Sequence, residues 1–482
     1  MRIFNLGAHT QTQAQFAQKN LPAFPNWWAA LGPGVVWMAL AQGSGELIWW
    51  PYLIAKYGLA FVALLIPACL LQIPITREIG RYTLLTGESI FQGFFRLSKP
   101  LSWLLWGLMT LSFLWFGAFA SAGGTALAAL THFPVNWDTK SQTLFWGYVT
   151  IAIFTLAVFF SQHIYKLIEN FMKLVALTTL IGLVWACSAP QVLQSVPSFL
   201  VGLTHFPTNL PANWQVDDAP KLLTAITFAG LGGFWILFYS YWLRDKGSGM
   251  AAHLPRITGA IGDKTEAVTM QGAIPADTPE NRALWATWRR FLNVDILVGV
   301  LGNLFTTLLM CLLAWTLLHP TGLIPQEYEI AVVQAQFFEV RWGAIGKALF
   351  LVIAAAFLAD TWLATADALS RTQADIAHIV SPKLRAQPLK KLYLSIFALL
   401  VVITSFTMSL DQPSSLILLS ALIGFIGTVM FPVVLYYLNH RLLAPQLPVW
   451  ARPSKWSALS LGLSFVAYLC LATMFFWLKF FR

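Results

Sequence analysis

The residues of this chain that could do chemistry away from water fall into two glycine-rich clusters and a few acids. The first cluster is Gly43-Ser44-Gly45, followed directly by Glu46. The second is Gly230-Leu231-Gly232-Gly233, followed by Phe234 and Trp235. Both sit in the middle of long apolar runs. Glycine costs a helix interior about 1 kcal/mol relative to alanine, so each cluster marks a place where a helix weakens or stops. A stopped helix frees N–H groups that face anions and carbonyls that face cations. Acids at membrane depth are costly, which makes each a functional candidate. Glu46 is the first of these, as a ligand, a proton carrier or the partner of a cation. Asp360, within Ala359-Asp360-Thr361, is the second. Asp367, seven residues on, shares its face and has Arg371 at i+4, so a surface ion pair is expected there. Trp49, Trp50, Phe234, Trp235 and Tyr239 are suited to wall an organic substrate or to hold a cation over an aromatic face. The same side chains serve packing equally well. Asp295 and Asn303 are polar groups able to bridge helices.

The elements that carry these residues follow from composition. Of 482 residues, 57% are apolar and only 10% are charged, against about 25% charged in a soluble domain. Eleven apolar runs are long enough to span a bilayer: 30–57, 59–82, 101–130, 143–162, 166–189, 221–243, 290–318, 343–369, 391–409, 414–438 and 456–478. With the N-terminus inside, 23 of the 30 Lys and Arg residues fall in cytoplasmic segments and 7 in external ones, the bias that sets topology. The expected protein is integral to a membrane, such as a bacterial inner membrane, with its C-terminus external. The net charge of +10 thus encodes orientation rather than nucleic-acid binding.

The organisation expected is a polar tail (1–26), a first five-helix unit (27–189), an external loop (190–220), a second unit (221–440) containing a cytoplasmic loop (244–289), and an eleventh helix with the C-terminus (441–482). Cys69, Cys187, Cys311 and Cys470 lie singly in apolar runs and read as small buried hydrophobes. No nucleophile–base constellation, phosphate loop or cofactor motif occurs, so no enzyme and no cofactor is expected.

Counted as spans 1–5 and 6–10, the chain has one glycine break in the first helix of each half. Glycines also let helices pack closely, but two matched breaks, one followed by an acid, point to a transporter built of inverted repeats. The partners implied are the bilayer and a small-molecule or ion substrate; the oligomeric state is left open, and a monomer suffices.

Several motifs resemble the Nramp family of proton-coupled divalent-metal transporters. Gly32-Pro33 opens the first span and Ala55-Lys56-Tyr57-Gly58 closes it; Arg77-Glu78-Ile79-Gly80-Arg81 and Thr86-Gly87-Glu88 follow the second; Tyr165-Lys166-Leu167-Ile168-Glu169 precedes the fifth. The resemblance implies an all-α membrane protein with a LeuT-type inverted repeat (5+5), about 11 transmembrane helices, and helices 1 and 6 interrupted. The breaks also look like those of amino-acid transporters in the same wider superfamily, and the substrate site expected is Gly43, Ser44, Gly45, Glu46, Gly230, Gly233, Phe234, Trp235 and Tyr239. The resemblance also sets helix 8 beside the first break, where Asp360 would serve coupling. The metal-site motif departs from the family: Gly43 and Glu46 stand where the family has Asp and Asn, and Phe234-Trp235-Ile236 stands where it has Met-Pro-His. Without a thioether, a hard divalent cation such as magnesium, held by oxygen with Glu46 as metal ligand, is favoured. The alternative is a small organic solute, an amino acid or amine, with no metal.

Overall fold

The computed structural model describes residues 16–43, 47–161, 163–254, 271–325 and 328–480. Ser44, Gly45 and Glu46 lie outside the described residues. In lipid, backbone groups must be satisfied within the chain, so helices are the available solution for these apolar runs. Among the described residues, nine helical segments are long and apolar enough to cross a membrane. Two further crossings are each split, which completes the eleven. The chain is an integral membrane protein of the interrupted inverted-repeat class.

Span 1 consists of α1 (Pro33–Ala41) and α2 (Trp49–Tyr57). Spans 2 to 5 follow: α3 (Gln72–Thr86) ends span 2, α4 (Lys99–Ser112) and α5 (Gly117–Thr131) form span 3, then α6 (Thr139–Phe160) and α7 (Ile164–Cys187). Span 6 is α8 (Ala219–Thr227) and α9 (Phe238–Lys246). The rest are α10 (Pro279–Leu313), α11 (Ala344–Val380), α12 (Leu389–Thr407), α13 (Pro413–Tyr436) and α14 (Lys455–Phe480). The core is built around α1, which packs on α7, α9, α10 and α11, and around α11, which packs on α5 and α12.

Two helices run past their apolar stretches. α10 starts at Pro279, not 290, because the Thr278 hydroxyl caps it by accepting from the Asn281 N–H at 3.2 Å. The expected loop 244–289 is therefore helical at both ends. α11 continues to Val380, past the expected 369, because its polar residues there find partners on neighbouring helices. Cys470 is exposed, unlike the other three cysteines, because α14 stands at the periphery.

The described part of the polar tail, from Phe16 on, is tied down. β1 (Ala17–Lys19) pairs in parallel with β2 (Ala273–Pro275). The Asn281 side chain accepts from the Leu21 N–H at 2.9 Å, and the Trp288 indole donates to the Pro22 carbonyl at 3.1 Å.

The near face, where α1 begins, is closed by saturated carboxylates. Asp295 (α10) accepts from the Gly32 N–H at 3.4 Å and the Tyr239 hydroxyl at 2.8 Å. Glu169 (α7) takes Lys246 at 2.7 Å and Lys173 at 2.5 Å. Asp375 (α11) accepts from Arg244 at 3.2 Å, Tyr241 at 3.2 Å and the Ser89 hydroxyl. Glu78 holds Arg81 at 3.1 Å, Asn439 at 2.9 Å and Ser457 at 2.5 Å. Asp367 corrects the surface expectation: it is buried, with Arg371 at 2.8 Å and the Tyr393 hydroxyl at 2.7 Å, and Arg371 also meets Asp245 at 2.6 Å. The extended α11 and the neighbouring α9 and α12 cover it.

On the far face, Asp218 welds α2 to the start of α8. It accepts from Lys56 at 2.6 Å, Lys221 at 2.7 Å, the Tyr52 hydroxyl at 2.9 Å and the Tyr57 hydroxyl at 2.5 Å. Burial alone would raise this carboxyl, but those hydrogen bonds outweigh it and hold it at about 2.

Candidate functional site

α1 widens at Gln42–Gly43 and regular helix resumes only at Trp49. Gly43 permits the closest approach in this region. A Cβ there would collide with the Thr361 hydroxyl and lie 2.7 Å from the Phe357 carbonyl, so α11 presses directly on the first break. The second break spans residues 228–232. Gly230 has φ 129°, a left-handed conformation open to glycine, and its N–H donates to the Phe228 carbonyl at 2.6 Å. A tight 3₁₀ turn, Gly233–Leu237, leads into α9. The Gly233 N–H donates to the Thr428 hydroxyl of α13 at 3.0 Å.

α11 joins the two breaks. Thr361 faces Gly43, and one turn on, Thr365 accepts from the Trp235 indole at 2.9 Å. Asp360, beside Thr361, is fully buried. Its Oδ1 accepts a long 3.4 Å contact from the Thr361 hydroxyl, and its Oδ2 has no hydrogen-bond partner among the described residues. A buried carboxylate left this way is expensive, and a ligand or a proton is what relieves it.

Of the expected site residues, the structure brings Gly43 and Asp360 to one place and carries Gly230, Gly233 and Trp235 on the second break. Trp235 lies edge-on to Phe113 at 4.5 Å and Phe228 at 5.3 Å. Phe234 turns toward α13, edge-on to Phe431 at 5.3 Å. Tyr239 points to Asp295 in the near-face lock. Trp49 and Trp50 are buried, and their indole N–H groups have no partner among the described residues. No group of three or more His, Cys, Asp or Glu able to hold a metal occurs among the described residues.

Two glutamines escaped the sequence reading. Gln42 donates from its amide NH₂ to the Thr306 hydroxyl at 2.9 Å, and Gln72 donates to the Thr227 and Ala229 carbonyls of the second break at 3.1 and 3.4 Å. The amide oxygens of both are buried without a partner among the described residues. A lone glutamine in a span is an available signal, since an amide in lipid is costly, but it competes with many polar residues that merely join helices.

No family model matches the chain. An uncharacterized protein of Pasteurella multocida (strain Pm70) is 26% identical over 215 residues, 44% of this chain and 48% of that protein. The chain thus spans about half the length of the curated relative it matches. Among solved structures, a variant of the Eremococcus coleocola manganese transporter superposes with TM-score 0.60 at 14% identity, covering 96% of this chain and 90% of that one. MhsT in complex with L-phenylalanine superposes with TM-score 0.54 at 14% identity, covering 93% of this chain and 98% of that one. At this identity the likeness establishes the fold: this chain has the LeuT-type architecture of two inverted five-helix repeats with helices 1 and 6 interrupted.

Proposed function

We propose that the chain is a secondary active transporter whose cargo is a cation received at the first helix break, with the near face cytoplasmic. The observation that carries this reading is Asp360: a fully buried acid, half unpaired, one residue from the contact between α11 and Gly43. Charge placed so deep is retained for a function. Asp360 serves as the coupling acid and as an oxygen ligand. Glu46, outside the described residues, is proposed as the second carboxylate.

The first reading of the cargo is a hard divalent cation such as magnesium. Support comes from the oxygen-only donors of the region: Asp360, Thr361, Gln42, Thr306 and the carbonyls freed at the breaks. The resemblance to a metal-transporter family points the same way. The second reading, a small organic solute, is favoured by the rings of Trp235, Phe113 and Phe228, which meet at the second break.

Uptake into proteoliposomes containing a magnesium reporter tests the proposal. Uptake by the wild type, lost in Asp360→Asn, is expected if a divalent cation is carried. Unchanged uptake in Asp360→Asn removes Asp360 from the site. No magnesium uptake, together with uptake of an organic cation, selects the second reading.

A further inference from the structure

Among the arginines of the near face, Arg77 (α3) stands apart. Its Nε is buried with no hydrogen-bond partner among the described residues. Arginine stays protonated in a protein, so this charge cannot be shed. The charges that act on Arg77 are Arg81 and Arg289 (α10), which repel it, and Glu78, which attracts it. Three guanidiniums therefore meet one carboxylate, and Glu78 is already engaged with Arg81 at 3.1 Å, Asn439 at 2.9 Å and Ser457 at 2.5 Å. The packing of α3 on α10 enforces the crowding. At Gly80 a Cβ would stand 2.4 Å from the Leu292 side chain, and Arg77 and Arg289 each lie one turn before those contact residues.

The flank of α3 that carries Arg77 is turned to lipid. Leu70, seven residues earlier in the same span and so on nearly the same face, is 42% exposed, and Leu297 and Leu301 of α10 are exposed as well. α14 forms the other wall, where the Ser464 hydroxyl donates to the Leu71 carbonyl at 3.0 Å. Ser457, in the first turn of α14, holds Glu78 and so brings its neighbour Trp456 to the depth of Arg77. Trp456 is 78% exposed, and tryptophan rings of this kind occupy the headgroup layer. Arg77 thus lies where acyl chains end and phosphates begin.

We propose that Arg77 and Arg289 bind the phosphate of an anionic phospholipid in the groove between α3, α10 and α14. The planar guanidinium matches phosphate oxygens in geometry as well as charge, and basic pockets between spans hold anionic headgroups. A zwitterionic lipid brings its own cation beside its phosphate and leaves the local excess of positive charge in place. An anionic lipid reduces it. The inference does not depend on what the chain carries.

The test uses the full chain in nanodiscs of phosphatidylcholine, alone or mixed with phosphatidylglycerol. Melting temperature is measured in each, and native mass spectrometry counts the lipids retained on extraction into detergent. The wild type is expected to melt higher with phosphatidylglycerol and to retain it in preference to phosphatidylcholine. Retention should fall about tenfold in Arg77→Gln and in Arg289→Gln, the scale of one charge-assisted hydrogen bond. The gain in melting temperature should shrink in both. Arg289 is exposed, so its variant carries the test even if Arg77→Gln fails to fold. Arg282→Gln removes another exposed arginine, two turns earlier on α10, and should retain phosphatidylglycerol as the wild type does. A loss in Arg282→Gln equal to that in Arg289→Gln would mean general attraction to a basic face and overturns the site. So does a wild type with no preference for phosphatidylglycerol, or a preference unchanged in both Arg77→Gln and Arg289→Gln. Inorganic phosphate that raises the melting temperature in phosphatidylcholine nanodiscs as much as phosphatidylglycerol does would make the ligand a soluble anion and overturn the lipid assignment.

Discussion

The near face and the helix breaks treat buried polar groups in opposite ways. At the near face each carboxylate is surrounded: Asp375 has an arginine, a tyrosine and a serine, and Glu169 has two lysines. At the breaks, Asp360, Gln42 and Gln72 each keep an oxygen with no partner among the described residues. The acids of both regions are buried, so burial of the acid itself does not explain the contrast. A saturated network specifies one arrangement and resists change. An unsaturated one raises the energy of the ligand-free state, which a bound ligand then recovers. The lesson is that among buried acids of one membrane protein, pairing separates those that hold the fold from those that await a ligand.

The sharpest way to break this contrast is to exchange the two kinds of acid. Asp360→Asn should lower uptake or ligand affinity about 100-fold, the scale of a lost charged hydrogen bond, while the melting temperature stays level or rises. A fall in melting temperature with unaltered affinity would place Asp360 among the structural acids. Asp375→Asn should do the reverse. It removes a buried partner of Arg244 and should cost about 3 kcal/mol of stability, with ligand affinity in the surviving folded protein changed less than about threefold. Thermal unfolding and calorimetry on the same sample check both.

Gly230→Ala comes next. Its φ of 129° strains any side chain, and the new methyl would meet Gln72 and Trp37. A loss of about 1–3 kcal/mol is expected, accompanied by weaker binding. Gly462→Ala, where nothing lies within 4 Å, is the control and should melt with the wild type.

The smallest effect concerns the far face and pH. The Asp218 carboxyl is lowered from 3.8 to about 2. A lowered acid stabilises the fold above its unfolded value and loses that contribution as pH falls through the folded one. Stability from this group should thus be constant above pH 4 and decline toward pH 2. Asp218→Asn should flatten that decline by about 1–2 kcal/mol. A variant with the same acid profile as the wild type would show that the cluster of lysines and tyrosines does not depend on this charge.

Much of the architecture could be read from the sequence because membrane spans are written in simple terms: long apolar runs, basic loops and glycines at mid-span. The two breaks appear where Gly43 and Gly230 marked them, and α11 lies beside the first. What escaped depends on partners far along the chain. Nothing local shows that Asp367 is buried, since its cover comes from α9 and α12. Gln42 and Gln72 look like ordinary polar residues until the hydroxyl and carbonyls that orient them are in place. Tyr239 was expected beside the substrate because it follows the second break, but two helical turns carry it down to Asp295. The contribution of Glu46 rests on its sequence position alone, as Ser44 through Glu46 lie outside the described residues.

The pairing of β1 with β2 has a consequence for the order in which the molecule is made. Leu21 and Asn281, whose hydrogen bond secures the tail, are 260 residues apart. At a synthesis rate of about 5–20 residues per second, the tail waits roughly 13–50 s for its partner strand to emerge. Five spans and the split sixth reach the membrane in that interval while the foot of α1 has neither β2 nor Asn281 to hold it. The foot of α1 is therefore anchored only after the split sixth span has been made, and a defect in the segment around Ala273–Pro275 would surface at the distant segment before α1.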